Sequence, residues 1–281
     1  MQDKLIIKLK LITFVGLMFI TGCDTLEKDR KVILVLIDYS ASSSNKLNKY
    51  IKIINENIFS NLGTNDCLIV MPIDEGSKRE PVKLVYEDMM QNKFSDKSDG
   101  FAHAQDSVNM RMKKYFETRA PQITTILQEA STERRKYTNY TDIVGALEQS
   151  QDMLEKNVNN STKKKIWDFI NGRPQYKVEN VIVVLSDMIQ ESPECSFNNK
   201  IGISSRKSRL YIQGLKQQGR IPDLKNCKLY VIGTTGKSSR QIDNIANFWK
   251  DYFLATHSEL NAYGYDVSDQ LVKYLVSRPY E

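Results

Sequence analysis

Six consecutive apolar residues, Val32-Ile33-Leu34-Val35-Leu36-Ile37, run straight into Asp38-Tyr39-Ser40-Ala41-Ser42. The apolar run is short, rich in β-branched residues and does not alternate with polar ones. That pattern suits a strand covered on both faces, as in a parallel sheet. A helical pattern follows, so Asp38, Ser40 and Ser42 fall where a strand's carboxyl end meets a helix start. In open α/β sheets that edge is where ligands bind. A carboxylate and two hydroxyls at alternate positions are hard oxygen donors, suited to Mg2+, Mn2+ or Ca2+ rather than to soft metals. The simplest structural alternative is that Ser40 or Ser42 only caps the following helix.

Two further segments extend the pattern. Val181-Ile182-Val183-Val184-Leu185-Ser186-Asp187 is a second apolar run ending in an acid, and Tyr140-Thr141-Asp142 precedes a helix-period set of Val144, Ala146, Leu147, Met153 and Leu154. Thr141 stands at the cap position of that helix. An Asp-x-Ser-x-Ser, a distant Thr and a distant Asp after a buried strand together resemble the metal-ion-dependent adhesion site (MIDAS) of the von Willebrand factor type A (vWA) domain family. The resemblance covers about residues 31–255. Thr138 is a weaker match to the Thr.

The resemblance implies a metal site of Asp38, Ser40, Ser42, Thr141 and Asp187 holding Mg2+, or Mn2+ or Ca2+. It implies an open coordination position for a carboxylate offered by a protein partner. The function expected is a divalent-metal-dependent protein-binding module for adhesion or assembly, not an enzyme. The alternative is a Mg-dependent phosphatase-like enzyme with Asp38 as nucleophile. Such enzymes need a second Asp two residues on, where this chain has Ser40. His103 and His257 accompany neither Asp38 nor Asp187, which disfavours zinc hydrolysis and a Ser-His-Asp nucleophile.

Strand patterns alternate with helix patterns, which points to an α/β fold: a doubly wound, mostly parallel sheet flanked by helices on both faces, Rossmann-like. Helices are expected at about Asn45 to Leu62, after Thr141, around Leu210 to Gly219, at Ile242 to Phe253 and at Val267 to Val276. Strands are expected at about Asp66 to Pro72, Val82 to Tyr86, Val178 to Ser186 and Lys228 to Gly233. In the family that this chain resembles, the strand at Val82 to Tyr86 is antiparallel to the rest. Residues 91–136 form a helical insertion, expected as two helices because Pro121 cannot continue the first but can start the second. It either packs on the sheet or overhangs the metal. Trp167 and Phe169 are expected to anchor the basic loop from Val158 to Gly172.

The formal charge is +6, and it is +4 without residues 1–22, where Lys4, Lys8 and Lys10 outnumber Asp3. So small an excess makes no case for nucleic acid. Residues 1–22 read as a lipoprotein signal peptide: a basic start, an apolar core from Leu11 to Ile20 too short to span a bilayer permanently, and Ile20-Thr21-Gly22-Cys23 at its end. That ending resembles the bacterial lipobox, in which Cys23 becomes the lipidated first residue. Residues 23–30 would then tether a vWA-like domain, 31–281, to a membrane of the bacterial cell envelope, outside the cytoplasm. There a disulfide is allowed. Cys67 reads as a small core residue, leaving Cys195 and Cys227 as a possible pair, worth roughly 3–4 kcal/mol on the chain-entropy model.

Overall fold

The computed structural model describes residues 28–75, 82–90, 93–94, 104–134, 140–158 and 176–277. The signal segment, Cys23, the rest of the tether up to residue 27, His103, Thr138, Trp167 and Phe169 lie outside the described residues. The chain divides into two compact units. Residues 30–159 and 178–281 form the larger one. Of the other, 1–29 and 160–177, only the first residues of β1 and β4 are described.

Six strands form one sheet in the order β3-β2-β1-β4-β5-β6. They are β1 (Lys28–Asp38), β2 (Cys67–Ile73), β3 (Val85–Asp88), β4 (Tyr176–Leu185), β5 (Cys227–Ile232) and β6 (Glu259–Gly264). Pairs β1–β2, β4–β5 and β5–β6 are parallel, and β3 runs antiparallel to β2 at the edge. This is the doubly wound α/β arrangement expected, including the antiparallel third strand. The strand order reverses between β1 and β4, so the topological switch point lies between the ends of those two strands. Two expectations are corrected. The tether overlaps β1, which already begins at Lys28. A sixth strand, β6, occupies residues for which no strand pattern was evident.

Val32 to Ile37 are all fully buried because both faces of β1 are covered. Val32, Leu34 and Leu36 join one core, and Ile33, Val35 and Ile37 the other, since side chains alternate across a strand. Each such burial is worth about 1.5–3 kcal/mol. The first core is closed by α3 (Ile143–Val158), α4 (Ser205–Gln217) and α5 (Ser239–Ala255). The second is closed by α1 (41–61), α2 (Ala104–Arg134) and α6 (Ser268–Val276). In α1, Ala41–Lys46 is a 3-10 turn, Leu47–Lys52 α-helix, Ile53–Ile58 a π-turn and Phe59–Asn61 a second 3-10 turn. The Nζ of buried Lys31 donates to the carbonyls of Tyr274, Leu275 and Ser277, closing the last turn of α6.

The insertion is one helix, not two: α2 runs through Pro121. A helix-interior proline costs about 3 kcal/mol. Val108 and Met112 before it and Ile123 and Leu127 after it are all buried in the same core, which keeps both halves in line. Arg119 Nε donates to Glu87 Oε1 at 2.6 Å, and Tyr115 bonds the same carboxylate, so α2 is fastened to β3. The helix therefore packs on the sheet. Its last turn still reaches the carboxyl end of β2, where Arg134 pairs with Asp74.

Cys195 and Cys227 do not form the expected disulfide; with Cys67 they are free thiols. Each is held in its own local structure. Cys195 N–H donates to Ser192 O in a tight turn, and Cys227 N–H donates to Leu224 O at the start of β5.

Candidate metal centre

Asp38 is the last residue of β1, and it is buried. Its Oδ1 accepts from Ser40 N–H at 2.8 Å. Its Oδ2 accepts from Ser43 Oγ at 2.9 Å and from Ser186 Oγ at 2.7 Å. The chain turns at Ser40 with extended backbone and enters the 3-10 start of α1, which keeps the two site hydroxyls adjacent. Ser40 Oγ and Ser42 Oγ are 3.0 Å apart, Ser40 buried and Ser42 at the solvent side.

Asp187 follows β4 and is buried as well. Its Oδ1 accepts from Ile189 N–H at 2.9 Å. Met188, next to it, has φ +66, the left-handed region that a non-glycine residue rarely adopts. Two bonds hold that backbone: Met188 N–H donates to Ser186 Oγ, and Trp249 Nε1–H of α5 donates to Met188 O, both at 2.9 Å. Ser186 thus orients both acids, bonding Asp38 directly and bracing the turn that carries Asp187.

Thr141 is buried at the same edge, paired in both directions with the backbone of Glu191, four positions beyond Asp187 (2.9 and 3.0 Å). The expectation that Thr141 caps the helix is corrected: Asp142 does so, its Oδ1 accepting from Gly145 N–H at 3.0 Å. Gln190 binds the two loops together. Its Oε1 accepts from Ile143 and Val144 N–H, and its Nε2 donates to Asp142 Oδ1.

Burial raises the Asp38 carboxyl to about 6, and the charge of Asp187 adds to the rise. The pair is therefore short of positive charge. Among the described residues, Lys46 is a cation whose field reaches both. Burial lowers its ammonium, while Asp187 and Asp38 oppose that fall. Yet Lys46 Nζ bonds Gly233 O (2.9 Å) and Thr235 Oγ1 (2.7 Å) rather than either carboxylate. Gly233, at φ +107, directly follows β5 and lies against the ring of Tyr50. Burial first, then the charges of Asp38 and Asp187, push the Tyr50 phenol up.

Among the described residues no three His, Cys, Asp or Glu side chains come together as a metal-binding group. An ion here depends on two carboxylates supplemented by hydroxyl oxygens. That donor set fits a hard divalent cation: two carboxylates and the Ser40 and Ser42 hydroxyls are all oxygen donors, and the charge deficit has the right sign. Ser43, Lys46, Ser186, Gln190 and Gly233 were not singled out in the sequence. Ser186 alone had a visible signal, directly preceding Asp187 at the end of an apolar run.

No protein-family model matches this chain, and no curated protein matches it. Solved structures do. The von Willebrand factor type A protein of Catenulispora acidiphila is 10% identical, with 89% of this chain and 42% of that one covered at a TM-score of 0.38. Manganese-loaded TRAP protein of Plasmodium vivax is 16% identical, with 89% and 74% covered and a TM-score of 0.37. The pilus adhesin SpaC of Lactobacillus rhamnosus GG, in an open conformation, is 12% identical, with 88% and 29% covered and a TM-score of 0.43. This chain spans less than half the length of each of the first three structures matched. The strand order and the residues at its switch point carry the reading below.

Proposed function

We propose that this chain is a divalent-metal-dependent protein-binding module, held at a bacterial membrane surface by a lipidated Cys23. One observation carries the reading: two buried acids, Asp38 and Asp187, stand at the switch point of a doubly wound sheet beside the hydroxyls of Ser40 and Ser42. Their mutual repulsion is what a divalent cation relieves. Asp38, Ser40, Ser42, Thr141 and Asp187 would hold Mg2+ or Mn2+. A bound ion would supply net positive charge at the rim, to which a partner's carboxylate can attach. The protein's own part is orientation. Ser43 and Ser186 fix the Asp38 carboxylate, Met188 and Trp249 fix the turn of Asp187, and Gln190 fixes the Thr141 loop.

Support for anchoring comes from residues 1–22 and the Gly22-Cys23 junction. Among the described residues no helix is long and apolar enough to cross a membrane. Acyl chains on Cys23 would hold the domain at the surface without spanning it, so Cys23→Ser should release the chain from the membrane fraction. The metal reading is tested by isothermal titration with Mg2+ and with Mn2+. Wild type should give binding heats and Asp38→Ala none, with far-UV circular dichroism unchanged. Equal heats for the two proteins would defeat it.

A further inference from the structure

We infer that loop 198–204 and the first turns of α4 and α5 form a docking surface for an acidic segment of a protein partner. Lys200, Arg206, Lys207, Arg209, Lys237 and Arg240 are all exposed there. No Asp or Glu occurs between Phe197 and Pro222, nor between Gly233 and Ile242. Among the described residues none of the six is paired with a carboxylate. Several arginines elsewhere do have acidic partners: Arg30 pairs with Asp88, Arg119 with Glu87, and Arg220 with Glu148 and Glu194.

The two segments are joined into one surface. Lys237 Nζ donates to Asn198 Oδ1 at 2.6 Å, and Ser238 Oγ donates to Lys200 O at 2.8 Å. Asn244 Nδ2 donates to Ile201 O and Gln241 Nε2 to Phe197 O, at 2.8 and 3.0 Å. Gly202 lies close enough to α5 that a Cβ there would crowd Ile245 and Gln241. Both helices begin here, capped by Ser204 and Ser238, so their positive ends add to the side-chain charge. Exposed Ile201, Leu210 and Ile242 lie among the cations and suit apolar residues of the same segment.

Hydrogen bonds tie the two basic segments to the elements that carry the candidate metal centre. Phe197 N–H donates to Gln190 O, and Gln190 holds the Thr141 loop through Ile143 and Val144. At the other end, Gly233 and Thr235 hold Lys46. In this proposal an acidic segment seats one carboxylate at the rim and lays its remaining charges on Lys237, Lys200 and Arg206. The inference rests on the metal reading only for that first carboxylate.

The test uses the full chain and a fluorescein-labelled oligoglutamate peptide, with binding read by anisotropy. The reversed variant is K200E/R206E/R240E, and the control, K113E/K114E/K250E, reverses three exposed lysines elsewhere. The reversed variant should bind at least about tenfold more weakly, the control should stay near wild type, and wild-type binding should weaken as salt rises from ~0.05 to ~0.5 M. Equal losses in both variants, or no loss in the reversed one, would overturn the proposal. So would capture of phosphatidylglycerol vesicles by wild type with no binding of the peptide. Binding that survives EDTA but falls in the reversed variant supports the surface and counts against the metal reading. Binding abolished by EDTA yet indifferent to the reversal does the opposite.

Discussion

Ser186 Oγ donates to Asp38 Oδ2 at 2.7 Å, though the two residues are 148 positions apart. The bond ties the carboxyl end of β1 to that of β4 across the switch point. It also makes the Asp38 carboxylate part of the fold's own hydrogen bonding, so its charge bears on stability as well as on metal binding.

Asp38 should set a pH dependence in the metal-free protein. Its carboxyl lies at about 6 against an ordinary 3.8, through burial first and the Asp187 charge second. Between those values the folded chain holds more protons than the unfolded one, so stability falls as pH rises through this window. The cost is complete above about 6 and on the order of 3 kcal/mol. In EDTA, Asp38→Asn should therefore resist urea better than wild type at pH 8, with the advantage vanishing as pH approaches 4. An advantage that stays constant from pH 4 to pH 8 would contradict this account.

Lys46 sends its charge toward both acids while bonding neither of them. It should oppose an incoming cation. Lys46→Met is expected to tighten Mn2+ binding about fivefold, near 1 kcal/mol, as read by titration calorimetry. Affinity that is unchanged or weaker would show that the tether to Gly233 and Thr235 matters more than the charge.

Gly233 combines φ +107 with the packing of the Tyr50 ring against it. A Cβ there would overlap the Tyr50 hydroxyl and carbon atoms of its ring. Gly233→Ala should cost about 2–4 kcal/mol in urea unfolding, from backbone strain and overpacking together. The loss should shrink in a Tyr50→Phe background, because the hydroxyl is the nearest atom. Additive effects would show that the Tyr50 hydroxyl is not what opposes the new Cβ.

The three thiols among the described residues should behave as separate groups. Burial pushes Cys195 up to about 11 and Cys227 to about 12, so neither is a ready nucleophile. Intact mass should not change on reduction. Alkylation at pH 8 should reach half-buried Cys195 slowly, and Cys67 and Cys227 only after unfolding. A two-dalton gain on reduction would restore the disulfide.

Much of the fold was legible from local pattern. Val32 to Ile37 and Val181 to Leu185 read as doubly covered strands because unalternating β-branched runs have few other uses. The helices after Thr141 and at Ile242 to Phe253 followed from apolar spacing. β6 did not show, because Glu259-Leu260-Asn261-Ala262-Tyr263-Gly264 is an edge strand with only Ala262 buried, which leaves little alternation to detect. The break expected at Pro121 failed because a local penalty was outweighed by burial on both sides of it. Thr141 was misread as a cap because its neighbour Asp142 competes for the same role, and only the bond from Gly145 decides between them.

The sequence by itself determined which residue types stand at which strand ends: an acid and two hydroxyls after one apolar run, a serine and an acid after another. That much is local, since a strand's burial and its exit are written in neighbouring residues. The tertiary structure alone decided that these two ends are neighbours, that Ser186 bonds Asp38, that Lys46 bonds the end of β5 and that two basic segments become one surface. Those relations depend on the strand order and on which helices cover which face, and crossovers set both over separations that no local pattern records.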